Sequence, residues 1–239
     1  MAVDFDFEVI LRTLKKSAGA LRDAEIPFSV ICVVTARTID RADELMDFFG
    51  RLECASVGFN IEEKEGLNAH REQVTPEKAY AFWSRLWDLR DQYPNLRVRD
   101  LDRLRGWLAH VRSGRTDSAN GYDPIPTVSA TGQTVVLSPE LLGIHAPAYR
   151  DFVIGNVLTI SLPRMLANLG SIGYVTEFDA GLRSCAAECE FWKFCQGAQA
   201  GNRFFEHGRF DTTETAYCRN TYQAVVRSAL DRTRGGRTR

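Results

Sequence analysis

Three of the chain's six cysteines lie within one run of eleven residues, CAAECEFWKFC, which begins at Cys185 and ends at Cys195. Cys189 lies between them, and a fourth cysteine, Cys218, follows 23 positions after Cys195. Four thiolates are the usual ligands of a [4Fe–4S] cluster and also of a structural zinc ion. The spacing therefore predicts that these four cysteines hold one metal group.

Two other interpretations of these sulfurs stay open. Zinc sites usually carry two C-x2-4-C pairs, and only Cys185 and Cys189 have that spacing, so zinc is the weaker of the two metal assignments. Independent buried cysteines would be scattered along the chain, as Cys32 and Cys54 are, and we interpret those two as small core residues. In the cytosol, clustered cysteines are more often metal ligands or catalytic groups than disulfides.

The residues around the cysteines suit a compact, shielded site. Gly197 and Gly201 allow the backbone to turn closely around a metal group. The aromatic side chains of EFWKF, between the second and third cysteines, would exclude water, which is one determinant of a cluster's potential. We expect the first three cysteines to lie on a tight coil and Cys218 to lie near the start of a distant helix.

The composition limits the classes of protein to which this chain can belong. Its 239 residues carry a net charge of −1, with 44% hydrophobic and 26% charged residues, as in an ordinary globular protein. This charge gives no general attraction to nucleic acid or to an anionic membrane. The N-terminal segment has no apolar run of the secretory kind, and no segment approaches the roughly 18 apolar residues of a membrane span. We therefore expect a cytoplasmic protein that binds neither nucleic acid nor membranes.

Residues 1–114 have the pattern of consecutive β/α units. The apolar run IPFSVICVVT predicts a strand buried on both faces of a parallel sheet, and ASVGFNI predicts the next strand. Amphipathic helices precede, separate and follow them. We expect the helix between the strands to be capped by Thr38 or Asp40, and the helix after them to begin at Thr75 and to stop before Pro94.

Asn60 and Glu62 end the second predicted strand. The alternation of side chains along a strand places both on one face. Because active sites of parallel β/α folds lie at the carboxyl ends of the strands, these two residues are candidates to face a cofactor or substrate. A solvated acidic loop is the alternative, since charged side chains are usually exposed.

The second part of the chain is predicted to be a small α+β domain. Its TGQ segment predicts a hairpin around Gly132, and SLPRMLANLG predicts a helix that extends at least to Leu169. The last helix is expected to begin at Asp211, which can form a capping box with Glu214. The predicted division is a linker with the start of the hairpin at 115–130, the domain at 131–232 and a disordered tail at 233–239.

The segment from Cys185 to Cys218, including NRFFEHGRFDTTETAYCR, resembles the C-terminal SPASM-type domain of radical S-adenosylmethionine (radical SAM) enzymes. More narrowly, it resembles radical SAM/SPASM maturases that crosslink ribosomally made precursor peptides, including cyclophane-forming ones. IPFSVICVVTARTIDRADELMDFFGRL and SVGFNIEEKEG resemble the later β/α units of the radical SAM barrel. The resemblance implies an α/β protein, with the later strands of a partial radical SAM (β/α) barrel followed by a small α+β SPASM-type iron–sulfur domain.

The resemblance also implies cofactors and partners. In this family, four cysteines of this layout bind an auxiliary [4Fe–4S] cluster, and the substrate is a precursor peptide. A second auxiliary cluster would need cysteines where this chain has Ser138 and Gln199. The catalytic cluster is bound by C-x3-C-x2-C, and this sequence contains no such motif. S-adenosylmethionine and the catalytic [4Fe–4S] cluster are therefore expected only in a complete enzyme that includes an N-terminal radical SAM half, and this chain alone is expected to be inactive.

The reaction implied by the resemblance begins with reductive cleavage of S-adenosylmethionine. Hydrogen abstraction from a peptide side chain and carbon–carbon crosslinking would follow. The alternative is a module without enzymatic activity, which binds zinc or an iron–sulfur cluster and serves as a scaffold or as a peptide-recognition subunit.

Overall fold

The computed structural model describes residues 7–68, 70–113, 122–197 and 199–235. The described residues form two compact units. The first unit comprises 7–62, 74–109 and 224–235, and the second comprises the remaining described residues.

The first unit is built on a three-stranded parallel sheet with helices between its strands. The strand order is β1-β2-β3, so β2 lies in the centre. Ser29 of β1 lies opposite Ser56 of β2, and Ser56 lies opposite Arg97 of β3. In chain order the elements are α1 (Phe7–Asp23), β1 (Ser29–Val34), α2 (Ala42–Leu52), β2 (Ser56–Ile61), α3 (Pro76–Leu89), β3 (Arg97–Val98), α4 (Arg99–Arg112) and, at the end of the chain, α9 (Ala224–Gly235).

The two predicted strands differ in their burial. In β2, Val57, Phe59 and Ile61 are all buried. In β1, Ile31 and Val33 are 65% and 56% exposed, so the prediction of burial on both faces is wrong for this strand. The reason is that the face of β1 with Ile31 and Val33 is not covered by other described residues. β1 is also an edge strand of the sheet that the described residues form.

The third strand, β3, is missing from the sequence prediction. It is only two residues long and runs directly into α4 at Arg99, so no alternation of side chains marks it. Asp100, in the first turn of α4, accepts a hydrogen bond from the backbone N–H of Phe59 at 2.9 Å. This buried contact fixes the start of α4 against the central strand.

The helix caps of the first unit are partly as predicted. The Thr75 side chain accepts a hydrogen bond from the N–H of Lys78 at 3.3 Å, which confirms the start of α3. α3 ends at Leu89, before the expected stop at Pro94, and continues as a short 3-10 turn, Arg90–Gln92. The predicted cap of α2 is wrong, because the N-cap residue is Arg41, and Asp40 pairs with Lys78 at 2.8 Å instead.

The second unit combines a small antiparallel sheet with short helices. β4 pairs with β5 in the predicted hairpin, where Gly132 has a φ of 83°, and β5 also pairs with β6. The elements are β4 (Thr127–Val128), β5 (Gln133–Val135), β6 (Gly155–Asn156), α5 (Leu162–Leu166), α6 (Gly173–Glu188), α7 (Trp192–Cys195), α8 (Ala200–His207) and a π-helical segment, Cys218–Gln223, that leads into α9.

Two helix predictions in the second unit are wrong. α5 ends at Leu166 rather than extending to Leu169, and a separate 3-10 turn, Leu169–Ser171, follows. The last helix does not begin at Asp211, because that carboxylate pairs with the Arg209 guanidinium. Helical geometry begins instead at Ala216, so Cys218 does lie near the start of the last helix, as predicted.

The second unit has its own hydrophobic core. Aromatic rings dominate it: Phe152 lies 5.4 Å from Tyr174 and 5.8 Å from Phe210, measured between ring centroids. Val135 and Phe178 are buried in the same cluster, which joins the sheet to α6.

The predicted domain ranges differ from the two units in three segments. Residues 63–73 and 110–113 group with the second unit, and 224–235 group with the first. α9 returns to α3, where the Tyr80 hydroxyl donates to Asp231 at 2.8 Å. Residues 115–121 of the predicted linker lie outside the described residues, as do residues 236–239 of the predicted tail; 233–235 are helical. Within the part of the chain described, none of the helices has the length and apolar character that a bilayer crossing requires.

Candidate metal centre

The four predicted cysteines come together in the second unit, at the ends of three helical elements. Cys185 lies in the last turn of α6, and Cys189 follows directly after that helix, with its N–H bonded to the Cys185 carbonyl at 2.9 Å. Cys195 is the last residue of α7, and Cys218 is the first residue of the π-helical segment. The expectation of a tight coil is wrong, since helix ends present the first three cysteines.

The turn after α7 is the point at which a glycine is needed. Gln196 has a φ of 55° and Gly197 a φ of 105°, so the chain reverses over two residues with left-handed backbone. A Cβ on Gly197 would lie 2.1 Å from Leu182 Cδ2. The predicted close turn at Gly197 is therefore present. Gly201 has a different role, because a Cβ there would meet the Ser138 hydroxyl at 2.5 Å rather than a cysteine.

The four cysteines line one small cavity of about 10 Å³. Trp192 also lines it, as do Gln199, Arg203, Thr213 and Thr215. Of the three aromatic residues expected to shield the site, Phe191 is buried but does not line the cavity, and Phe194 packs against Tyr222 at a centroid distance of 6.0 Å. Among the described residues, no three Cys, His, Asp or Glu side chains are arranged to hold a metal ion as they stand.

The protonation equilibria of the thiols reflect these contacts. A hydrogen bond with Cys195 lowers the pKa of Cys218 to about 7, and a second bond, from Gln223 at 3.6 Å, acts in the same direction. Burial raises the pKa of Cys185, and the nearby Arg203 guanidinium offsets part of that effect. The site therefore holds one thiol that ionises readily and one whose ionisation depends on a neighbouring positive charge.

Polar contacts from outside the cysteines hold Cys218 in place. The Thr215 hydroxyl accepts a hydrogen bond from the Cys218 N–H at 3.0 Å, and the Glu206 carboxylate accepts one from the Ala216 N–H at 2.6 Å. These two side chains cap the last helix in place of the predicted capping box. Glu214, its other predicted member, accepts instead from Gln223 at 2.8 Å. Single-turn π-helices are rare and occur frequently at functional sites, which fits the position of Cys218.

A buried acidic network that sequence reasoning missed lies in the same unit. Its members are the carboxylates of Glu63 and Glu65 and the amide of Asn202, which is fully buried and donates to both, at 3.1 Å to Glu65. Burial, together with the charge of Glu63, raises the pKa of Glu65 to about 8. Both carboxylates belong to the EEKEG segment, which the sequence predicts to be a loop. Asn202, their hydrogen-bond donor, lies 137 residues after Glu65, and no motif in the sequence marks it.

Comparisons with known proteins place this geometry in context. No family model matches the sequence. An uncharacterized protein of Synechocystis sp., sll1766, is 33% identical over 211 residues, which are 86% of this chain and 53% of that protein. The chain thus spans about half the length of the curated relative that it matches.

Solved structures of anSMEcpe, an anaerobic sulfatase-maturating radical SAM enzyme, share the fold. The structure with bound AdoMet aligns with a TM-score of 0.61 and 17% identity over 91% of this chain and 56% of that chain. The structure with bound AdoMet and the Cp18Cys peptide aligns with a TM-score of 0.57 and 17% identity over 91% of this chain and 60% of that chain. This chain has a radical SAM/SPASM-like fold.

The donor set fits the group that a radical SAM/SPASM-like fold implies. Four thiols from separate elements converge on one cavity, and a buried guanidinium contacts one of them. Thiolates are the ligands of [4Fe–4S] clusters, and a buried positive charge suits a group of net negative charge. The assignment of the four cysteines as ligands stays a prediction.

The second predicted site, Asn60 and Glu62, lies at the end of β2 as expected. The Asn60 amide oxygen accepts a hydrogen bond from Arg99 Nη2 at 2.8 Å. The same guanidinium lies over Gly58, where a Cβ would be 2.3 Å from Arg99 Cζ. Glu62 is half-buried, and its N–H bonds the Val34 carbonyl at 2.8 Å. Within this radical SAM/SPASM-like fold, Asn60 is therefore held by an arginine that the sequence did not single out, and the role of both residues stays a prediction.

Proposed function

We propose that this chain is the part of a radical SAM peptide-modifying enzyme that carries one auxiliary [4Fe–4S] cluster. The observation that supports the proposal most strongly is the convergence of four cysteine side chains on one cavity in a chain of radical SAM/SPASM-like fold. Cys185, Cys189, Cys195 and Cys218 would hold the cluster. When bound, the cluster would supply an electron-accepting group and would order the surrounding loop and helix ends.

The residues around the cluster have separable roles in this proposal. Thr215 and Glu206 hold the backbone of the last helix so that the Cys218 sulfur stays directed at the cavity. Gln223 stabilises the ionised form of that thiol, and Trp192 limits the access of water. Gln199 lines the cavity at the position where a second auxiliary cluster would need a cysteine, which supports the assignment of a single auxiliary cluster.

The catalytic half of the reaction would come from elsewhere. Reductive cleavage of S-adenosylmethionine needs a second cluster on C-x3-C-x2-C, and this sequence has no such motif. We propose that an N-terminal radical SAM half, in the same or a separate chain, completes the enzyme. Two features of β1 support the proposal of an N-terminal half. β1 is an edge strand of the sheet formed by the described residues, and its Ile31 and Val33 side chains are exposed. Open edges with apolar side chains favour pairing with a further strand.

We propose a ribosomally made precursor peptide as substrate, with carbon–carbon crosslinking of the cyclophane type as the outcome. A peptide is bound in one solved structure of similar fold, alongside AdoMet. Asn60 and Glu62, at the carboxyl end of β2, are proposed to face the cofactor or the peptide.

The experiment that tests the enzymatic proposal pairs this chain with a chain, or an upstream segment, that encodes C-x3-C-x2-C. The two are produced together and reconstituted anaerobically with iron and sulfide. Reductive cleavage of S-adenosylmethionine is then measured by mass spectrometry with dithionite as reductant. Cleavage that requires both parts, with a loss of two hydrogens from a co-expressed candidate peptide, is the expected result. Cleavage without any change in the peptide would contradict the crosslinking assignment, and no cleavage would contradict the enzymatic one.

A metal-binding module without activity is the second candidate. The specific observation that favours it is the absence of the catalytic motif from the sequence. In that case the four cysteines would hold zinc or an iron–sulfur cluster as a structural element of a scaffold or of a peptide-recognition subunit. The metal content of the purified chain distinguishes zinc from iron, and peptide modification by the completed enzyme distinguishes scaffold from catalyst.

A further inference from the structure

Arg203 is a buried cation without a carboxylate partner among the described residues. Its side chain is 2% exposed in the middle of α8. Nη2 donates to the Gly197 carbonyl at 3.0 Å and contacts the Cys185 sulfur at 3.5 Å, while Nη1 donates to the Phe210 carbonyl at 3.0 Å. The guanidinium also lies over the Phe178 ring, with Cζ 4.9 Å from the centroid.

A permanently charged guanidinium is costly to bury unless negative charge lies nearby. The carbonyls and the ring supply only partial charges. The Asp211 carboxylate also interacts electrostatically with Arg203, but it forms its ion pair with Arg209. The groups beside the guanidinium that can supply further negative charge are the cysteines, since Cys185 contacts it and Cys195 and Cys218 also interact with it electrostatically. Thiolate ligands leave an iron–sulfur cluster with a net negative charge, so the position of Arg203 makes physical sense when such a group is bound.

The fold makes room for this side chain. A Cβ on Gly181 of α6 would lie 2.1 Å from Arg203 Nη1 and 2.8 Å from the Phe210 carbonyl oxygen. Only glycine leaves space for the guanidinium to reach both that carbonyl and the cavity. α6 therefore presents Cys185 to the cavity. One turn earlier in the same helix, the missing side chain of Gly181 leaves the space that the Arg203 side chain occupies.

We infer that Arg203 is a positioning residue for the metal centre, whose charge and N–H donors stabilise the bound cluster and raise its reduction potential. This inference rests on the proposed function of the four cysteines. Reduction adds one electron to the cluster and makes it more negative, so a fixed positive charge beside a ligand sulfur stabilises the reduced form more than the oxidised form. The negative charge that compensates the buried arginine would also favour binding of the cluster over the empty site.

The test uses the full chain, reconstituted anaerobically with iron and sulfide, in four forms. These are the wild type, Arg203→Gln, Arg203→Lys and the control Arg209→Gln, whose guanidinium is 60% exposed and pairs with Asp211. Iron per chain is measured first, and the reduction potential of the cluster is then determined by titration with dithionite, followed by electron paramagnetic resonance. At a fixed potential we expect Arg203→Gln to lower the ratio of reduced to oxidised cluster about tenfold, which is about 59 mV for a one-electron couple. Arg203→Lys is expected to retain more of the wild-type potential, and Arg209→Gln all of it.

The outcomes separate this inference from the proposed function. A wild-type chain that binds no iron contradicts the function itself. A wild-type cluster whose potential and iron content are unchanged in Arg203→Gln overturns the role of Arg203 and leaves the function standing. If circular dichroism shows that Arg203→Gln does not fold, Arg203→Met, which removes the charge, and Gly181→Ala, which displaces the guanidinium, replace it. Both are then expected to lower the potential, and a wild-type potential in whichever of them folds overturns the inference.

Discussion

Cys218 is the residue on which the metal centre depends most. The other three cysteines lie within eleven positions of one another, whereas Cys218 is joined to them only through the fold, by a hydrogen bond with Cys195 and a shared cavity. Its pKa of about 7, lowered chiefly by that bond, makes it a thiol that ionises readily near neutral pH.

We expect Cys218→Ser to lose most of the iron that the wild-type chain binds after anaerobic reconstitution. A serine hydroxyl is far less acidic than a thiol and is a poor ligand for iron in a cluster. Iron and the visible absorbance of the cluster are measured for this variant and for Cys32→Ser, whose half-buried thiol lies in the first unit. Equal iron in all three proteins would rule out Cys218 as a ligand.

The acidic network makes a separate prediction about stability and pH. Burial is the main cause that raises the pKa of Glu65 to about 8 from an ordinary value of 4.5. The folded chain therefore binds more protons than the unfolded chain between those values, and this residue makes folding less favourable as the pH rises through the window. Since the side chain is partly exposed, we expect the effect to be on the order of 2 kcal/mol after solvent screening.

Glu65→Gln removes that titration. The variant is expected to gain stability relative to the wild type between pH 5 and pH 8, measured by urea unfolding at both values. Glu72→Gln, at an exposed position in the same segment, is the matched control and should behave as the wild type does. A pH dependence of stability that is the same in Glu65→Gln and the wild type would show that the carboxylate is not perturbed in this way.

Sequence reasoning at the residue scale found the cysteines but not the groups that support them. The cysteines are recognisable because four of the six residues of this rare type lie in one segment, three of them within eleven positions. Arg203, Thr215 and Asn202 are ordinary residue types in a polar segment, and their roles arise only when helices bring distant residues into contact. No pattern along the chain distinguishes a buried arginine from an exposed one.

At the scale of elements, periodicity predicted most helices and the two longer strands. The errors lie where a partner outside the element decides its structure. β1 has the composition of a buried strand but lies at a sheet edge, and β3 is too short for an alternation. The predicted capping box of the last helix failed because Asp211 pairs with Arg209, while Thr215 caps that helix. Local propensity set the element types, and tertiary contacts set their ends.

The uncovered face of β1 predicts a specific behaviour of the isolated chain. Exposed apolar strand edges favour self-association, so the wild-type chain should form dimers or larger species at micromolar concentration. Ile31→Lys with Val33→Lys should make the chain monomeric and should change the free energy of unfolding by no more than about 0.5 kcal/mol, as is usual for exposed positions. Sedimentation velocity measures the first effect and urea unfolding the second.

Val111→Lys is the control for that pair of substitutions, because Val111 is 49% exposed but lies on α4 rather than on the sheet edge. Association that persists in the β1 variant, or that disappears equally in Val111→Lys, would show that β1 is not the surface responsible. The same β1 variant should fail to bind an N-terminal radical SAM half.

At the scale of the whole molecule, the chain combines a parallel β/α unit with a second unit that carries the four clustered cysteines. It spans about half the length of its curated relative and of the solved radical SAM structures of similar fold. The resemblance seen in the sequence agrees with the radical SAM/SPASM-like fold, and the partial barrel stays a prediction. The placement of 63–73 and of the last helix required the structure. Those segments change unit because of long-range packing, such as the contact between Tyr80 and Asp231.

The most direct test of the central claim is the metal content of the purified 239-residue chain. After anaerobic reconstitution in the presence of iron, sulfide and zinc, iron, acid-labile sulfide and zinc are determined per chain. One [4Fe–4S] cluster on the four cysteines predicts about four iron and four sulfide with little zinc. One zinc per chain with no iron or sulfide would contradict the iron–sulfur assignment and favour a structural zinc site.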